Sequence, residues 1–241
     1  MKKIIALFAV MMMLVSPLAA ETKKKQDEVD FVALAALLMK DGHYDRAEIA
    51  LKQVDLEDKN LDKVRYYTLS GMVYMKKALY VAAIENFEKS IEAGQTDMTV
   101  YLYIAQANYE LKEYRKVLDA FAKAGELAKK KPTFYAMSAQ CHWMLKERDE
   151  AFNVLNEGMA AFTEHHAFLK QAFYYLIELQ LYQEALVYAE RYLASGTADA
   201  DAYLAIGSAL KSSGEHDKAL LVLEKAQMAY PQHAKITVML A

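Results

Sequence analysis

The sequence is poor in the residues that interrupt helices or join them covalently. Its 241 residues include one cysteine, three prolines and eight glycines. A lone cysteine, Cys141, excludes an internal disulfide, so stability must come from the hydrophobic core. Hydrophobic residues make up 55% of the chain, which is enough to build such a core. Scarce glycine and proline beside abundant Ala, Leu, Lys and Glu favour a helical protein throughout.

Long apolar runs and clustered positive charge are also missing after residue 20. No later stretch approaches 18 uninterrupted apolar residues, so we expect no transmembrane segment after signal cleavage. A pI near 6.1 and the absence of a sustained basic stretch argue against nucleic-acid binding, because phosphate neutralisation dominates that binding. Each of the short runs Lys23–Lys25 and Lys129–Lys131 is interpreted as a solvated linker or a helix end rather than a lipid site.

The first 20 residues have the layout of a secretory signal peptide. Lys2 and Lys3 precede the apolar run Ile4–Val15, and small residues lead to a predicted cleavage site after Ala20. No cysteine stands there to be acylated, so we predict an unlipidated periplasmic protein of a Gram-negative cell. Secretion by a Gram-positive cell is the alternative. Cleavage removes both lysines and takes the formal net charge from −3 to −5.

Beyond the signal, four kinds of residue recur with one period, a first step of 36 residues and later steps of 34. A small residue opens the pattern: Ala47, Ala83, Val117, Ala151, Ala185 and Ala219. Three residues before it, an aromatic position reads Tyr44, Tyr80, Tyr114, Arg148, Tyr182 and His216. Four residues after it, a mostly large position reads Leu51, Phe87, Phe121, Leu155, Ala189 and Leu223. An aromatic or leucine in the preceding helix reads Phe31, Tyr67, Tyr101, Tyr135, Leu169 and Tyr203.

This pattern resembles the tetratricopeptide repeat, a 34-residue helix–turn–helix with the signature W-x2-L-G-x2-Y, A-x3-F and P. The last copy matches best, through Tyr203, Ile206, Gly207, Leu210, Ala219, Leu223, Ala226 and Pro231. The resemblance covers residues 28–233. It implies an all-α, right-handed superhelical solenoid of about six repeats.

The predicted organisation follows from the period. A signal peptide (1–20) and a polar linker (21–27) precede the six repeats, which occupy 28–63, 64–97, 98–131, 132–165, 166–199 and 200–233. Residues 234–241 match the start of a seventh repeat or a capping helix, and the sequence leaves open whether the chain continues.

The recurring positions have a physical role within each hairpin. Gly207 and Ala219 let two helices approach closely, and Leu223 fills the space beside that contact. The fifth repeat departs from the pattern, with bulky Phe173 at the small position and Ala189 at the large one. We interpret this as a volume swap, which cores tolerate when total volume is kept, and expect it to alter the superhelical twist near residues 165–195.

Residues that could carry catalysis are few. Cys141 and His142 are adjacent, so on a helix they point about 100° apart and do not form a pair. His165 and His166 lack the spacing of a metal site. No phosphate loop, nucleophile elbow or HExxH motif occurs. We therefore predict a non-enzyme without cofactor or metal.

The resemblance implies a concave inner face formed by the first helix of each repeat. The inward positions that we predict to bind a partner are Met39, Met72, Met75, Gln106, Tyr109, Gln140, Trp143, Tyr174 and Ile177. Methionine and aromatic side chains offer adaptable or large contact area, and Tyr109 and Trp143 are the predicted main anchors. The alternative is that individual members pack against the next repeat.

These features together predict a non-catalytic periplasmic scaffold that binds a peptide or helix of an envelope protein. An exported, unlipidated protein of this type resembles the tetratricopeptide proteins associated with TonB–ExbB–ExbD energy-transduction systems. An accessory factor for cell-wall synthesis, division or pilus biogenesis is the alternative. A third possibility is a peptidoglycan- or glycan-binding protein that stacks sugars on Trp143 and the tyrosines. The oligomeric state stays open.

Overall fold

The computed structural model describes residues 29–240, and within that range all regular structure is helical. The predicted all-α class is confirmed. The predicted signal peptide and linker lie outside the described residues. The chain divides into two compact units, one ending at Thr96 and the other beginning at Asp97.

The first unit contains two helical hairpins. Its helices are α1 (Phe31–Lys40), α2 (Tyr44–Leu51), α3 (Lys63–Lys76) and α4 (Tyr80–Glu92). Aspartates begin α1 and α3, because Asp30 and Asp62 each accept a hydrogen bond from a backbone N–H three residues on, at 2.8 and 2.9 Å.

The second unit continues the hairpins and adds one short helix. Its helices are α5 (Thr99–Glu110), α6 (Tyr114–Ala124), α7 (Glu126–Lys129), α8 (Pro132–Met144), α9 (Arg148–Ala161), α10 (Ala167–Glu178), α11 (Tyr182–Ala194), α12 (Ala200–Ser212), α13 (His216–Ala229) and α14 (Ala234–Leu240). The last of these buries Ile236 and exposes Val238. No helix between residues 29 and 240 combines the length and apolar character needed to cross a bilayer.

One turn geometry joins the two helices of every hairpin. A residue with positive φ, between 56° and 83°, follows the first helix at Gly42, Ala78, Lys112, Lys146, Gln180 and Gly214. The next residue donates its N–H to a carbonyl five positions earlier, as Glu113 does to Asn108 at 2.9 Å. This bonding is the usual way to end a helix with a left-handed residue. The repeat period is therefore present in the backbone as well as in the side chains.

Close helix contact inside the hairpins depends on the small position. A Cβ on Gly207 would lie 2.9 Å from Leu223, and one on Gly71 would lie 2.6 Å from the Phe87 ring. The predicted role of Gly207 is thus confirmed. In the fifth repeat Phe173 and Ala189 are both buried in one apolar cluster. The large side chain is on the first helix of this hairpin, whereas in the other repeats it is on the second. The repeat boundaries and the change of twist stay predictions.

Candidate functional site

An open groove lies in the second unit between α5 and α8, and we call it the Tyr109 groove. Its volume is about 360 Å³. The larger apolar side chains of its lining are those of Leu102, Tyr103, Tyr109, Phe121, Phe134 and Met137. Polar groups also line it, among them Gln106, Glu110 and Lys131. The predicted residues Gln106 and Tyr109 therefore meet in one concave site.

Aromatic contacts hold the walls of the Tyr109 groove. The rings of Phe121 and Phe134 meet edge to face with centroids 5.1 Å apart, and those of Tyr109 and Tyr114 meet similarly at 6.4 Å. Such pairs add to the stabilisation from burial alone. Partial burial raises the pKa of the Tyr109 hydroxyl above its usual value. At neutral pH the hydroxyl is therefore an uncharged donor and acceptor.

A break in the helix pattern shapes one end of this groove. Gly125, with φ of 59°, ends α6 and is followed by the four-residue helix α7. Pro132 then starts α8, a position that suits its fixed φ and missing N–H. This connection carries Ala128 and Lys131 to the groove. The predicted interpretation of Lys129–Lys131 as a helix end holds, and Lys131 also faces the candidate site.

Trp143, the second predicted anchor, is not available to a partner. Its side chain is only 4% exposed. One face stacks on the Tyr175 ring at 3.9 Å and 5°, and the Arg148 guanidinium lies 3.7 Å from the ring centroid. The indole N–H donates to Glu178 at 2.8 Å. The prediction of Trp143 as a partner-binding anchor is wrong, because its neighbours cover both ring faces and satisfy its polar atom. We call Trp143 with Tyr175, Arg148 and Glu178 the Trp143 stack.

A hydrogen-bond chain occupies Gln140, which lies beside the stack. The Tyr175 hydroxyl donates to Gln140 at 2.8 Å and accepts from Gln171 at 2.7 Å. Gln171 also donates to the backbone carbonyl of Ala136 at 3.0 Å. Burial raises the pKa of Tyr175, so the hydroxyl stays protonated and can keep donating. Gln140 thus orients the stack, and its half-buried amide has a partner already.

The other predicted residues are half-buried, and none of them is among the residues that line the Tyr109 groove. Met39 packs on the apolar cluster of the first two hairpins. Tyr174 and Ile177 pack on the cluster around Phe173. Met72 and Met75 lie on α3 with part of each side chain exposed. For Met39, Tyr174 and Ile177, packing within the fold accounts for the apolar character that drew attention to them.

Several site residues escaped the sequence reasoning. Phe134, Met137 and Lys131 line the groove, yet each lies outside the inward positions taken from the repeat. Gly125 inside a helical pattern, seven residues before Pro132, was the signal that the connection here is irregular. Tyr175 was missed because it lies at none of the four recurring positions or the predicted inward positions, although it covers Trp143.

Cys141, His142 and His165, the candidate catalytic residues, are buried or held by contacts within the fold. Cys141 is fully buried, and burial raises the pKa of its thiol to about 12, which disfavours the nucleophilic thiolate. His142 instead contacts Glu147 at 2.7 Å. The His165 ring packs against Phe168 at 4.8 Å. Among residues 29–240, no three His, Cys, Asp or Glu side chains converge as metal ligands.

Comparison with solved structures places the fold among known helical repeat proteins. A crystal structure of the MamA protein aligns with a TM-score of 0.63 at 18% identity, over 72% of this chain and 95% of that one. PilW, described as a widely conserved type IV pilus biogenesis factor, aligns at 0.61 and 16%, over 88% and 97%. PilF of Pseudomonas aeruginosa aligns at 0.59 and 14%, over 86% and 93%. At these identities the likeness concerns the fold.

Sequence comparison identifies the repeat itself. A TPR repeat-containing protein of Borreliella burgdorferi is 27% identical in an alignment of 136 residues, with 48% of this chain and 59% of the relative covered. The chain thus matches less than two thirds of that relative's length. The tetratricopeptide repeat model matches residues 64–93 and 200–233, in the second and last of the predicted repeats. The chain therefore contains tetratricopeptide repeats.

Proposed function

We propose that the protein is a non-catalytic interaction scaffold that holds a segment of a partner protein in the Tyr109 groove. The observation that carries this proposal is the groove itself, where Gln106 and Tyr109 lie with apolar side chains from α5, α6 and α8. Tyrosine and methionine are favoured at binding surfaces, because one gives rigid amphipathic area and the other adapts its shape. Stacked repeats supply such a surface on a modest chain length.

The proposed place of action is the periplasm, supported by the signal-peptide layout of residues 1–20. Expression in a Gram-negative cell should give a mature chain beginning at Glu21, released with the periplasmic contents. N-terminal sequencing of the released protein tests this. A chain that keeps Met1 and stays in the cytoplasmic fraction would contradict the export proposal.

Two kinds of envelope partner are proposed. The first is a component of a TonB–ExbB–ExbD-type system, supported by the resemblance to exported, unlipidated tetratricopeptide proteins. The second is an assembly factor, as in pilus biogenesis, supported by the fold likeness to PilW and PilF. A glycan-binding role is disfavoured, since both faces of Trp143 are covered and cannot stack on a sugar.

Site-specific photocrosslinking in cells tests the proposal. A photoreactive amino acid at Gln106, which is exposed in the groove, should give one dominant adduct with an envelope protein. The matched control is the same substitution at Asn153, an exposed position on α9 outside the groove lining. Mass spectrometry of the adduct identifies the partner and separates the two proposed systems. Equal adducts at both positions would show that the groove is not the site.

A further inference from the structure

From the charges at its ends, we infer that the Tyr109 groove selects the orientation of its occupant. The occupant would be an internal partner segment with an acidic side chain, a bulky apolar side chain and a basic side chain in that order along the groove. This inference rests on the proposed function and adds the chemistry of the partner.

Two side chains of opposite charge line the groove. Lys131 and Glu110 are both exposed, and neither takes part in an ion pair within residues 29–240. Elsewhere many charges are paired, as Lys129 is with Glu126 at 2.9 Å. Lys131 and Glu110 are thus free to pair with a ligand.

Chain connectivity puts these charges at opposite ends. Three residues join α5 to α6, so the two helices run antiparallel and α6 ends near the start of α5. Lys131 follows α6 and directly precedes α8, which places it at the end where α5 begins. Glu110 is the last residue of α5. The groove spans α5 from Thr99 to Glu110, which at 1.5 Å per residue is about 16 Å.

Apolar side chains line the groove between the two charges, on the side nearer Lys131. Phe121, Phe134 and Met137 provide two rings and one adaptable thioether for an anchor. A volume of about 360 Å³ holds one bulky side chain with its flanking backbone. An extended chain covers about 16 Å in roughly five residues. The complementary charges should therefore stand about four or five residues apart, with the anchor between them.

An internal carboxylate suits the groove better than a chain terminus. A single lysine side chain lines the positive end, and it acts as a point charge without the fork geometry of arginine. The groove also extends past the anchor to Glu110, which would repel a second carboxylate and attract a cation. A segment that passes through the groove uses both ends.

The test is a selection from displayed random heptapeptides, held internally within a loop and, in a parallel arm, at a free C-terminus. The purified chain 21–241 should enrich internal peptides with an acidic and a basic residue on opposite sides of a bulky apolar one. In the K131E/E110K variant either the enriched order should reverse or the same peptide should bind in the opposite direction, which a photoreactive residue at one end of the peptide reports by labelling the other end of the groove. Both substitutions suit the fold, since an acid precedes α8 and a base ends α5. Circular dichroism checks that folding is unchanged.

Binding of one selected peptide gives the magnitude. Lys131→Gln or Glu110→Gln should each weaken it roughly two- to fivefold at low salt, as expected for an exposed ion pair, and less at high salt. A consensus that keeps both its order and its binding direction in K131E/E110K, enrichment only at the free C-terminus, or no enrichment would overturn the inference. The selected peptides could lack the acidic–apolar–basic order and yet lose binding to Tyr109→Ala. In that case the proposed function stands and the inferred charge selection fails. If neither the charge substitutions nor Tyr109→Ala weaken peptide binding, the proposed function and the further inference both fail.

Discussion

Tyr109 and Trp143 stand 34 residues apart at the same position of successive hairpins, yet one lines an open groove and the other is buried. The difference comes from their neighbours. Thirty-two residues after Trp143 stands Tyr175, which stacks on its ring, whereas Cys141 stands at that distance from Tyr109. Five residues on, Arg148 covers Trp143, whereas Tyr114 meets Tyr109 by its edge.

This comparison shows that a repeat position determines where a side chain starts but not whether it is covered. A large flat neighbour turns an inner-face aromatic into core, and a small neighbour leaves it open to a ligand. The Trp143 stack should therefore govern stability, and the Tyr109 groove should govern binding. Substitutions at matched positions can separate the two.

The largest expected effect is on stability. Trp143→Ala removes a buried ring and should lower the free energy of unfolding by about 3–5 kcal/mol, as large core truncations do. Urea denaturation followed by circular dichroism measures the change. Trp143→Phe, which keeps a ring for stacking, should cost clearly less. A loss below about 1 kcal/mol for Trp143→Ala would mean that the stack is not part of the core.

The matched substitution in the groove should affect binding instead. Tyr109→Ala should weaken binding of the crosslinked partner by about 2 kcal/mol or more, roughly thirtyfold, as for aromatic hot spots. Its stability loss should be well below that of Trp143→Ala, since Tyr109 is half-buried. Titration by isothermal calorimetry gives the affinity. Trp143→Phe serves as the control and should bind like the parent; the reverse result would exchange the roles of the two sites.

The sequence revealed the hairpins because each contact inside them repeats. Gly207 against Leu223 and Gly71 against Phe87 are the same contact in two copies, so periodicity alone predicts both. The groove depends on features that occur once. Gly125 ends α6 early and separates it from the short helix α7. Arg148 stands at a position that is aromatic in most other repeats. Repetition carries no information about such departures, so the prediction of Trp143 as a binding anchor is wrong and Lys131 was missed.

A smaller effect tests the hydrogen-bond chain behind the stack. Tyr175→Phe keeps the ring on Trp143 but removes the hydroxyl that links Gln140 and Gln171. We expect a loss of about 1 kcal/mol, the usual net value of one hydrogen bond. Urea unfolding of this variant measures the loss, and Tyr109→Phe provides the control, because Tyr109 lies on the open side. Equal losses of stability for the two variants would show that the hydrogen bonds of Tyr175 do not stabilise the Trp143 stack more than the Tyr109 hydroxyl stabilises its own site.

The smallest expected effect tests whether the two hairpins differ in their backbones. Lys112 and Lys146 hold φ of 61° and 64° in equivalent turns, one beside each site. A left-handed conformation costs a non-glycine residue about 1–2 kcal/mol, which a substitution by glycine removes. Glycine in turn loses more conformational entropy on folding, which costs about 0.5–1 kcal/mol. Lys112→Gly and Lys146→Gly should each stabilise the fold by about 0.5 kcal/mol, by the same amount within error. Paired urea titrations measure this. A gain at one turn and a loss at the other would place the difference between the sites in the turns rather than in Tyr175 and Arg148.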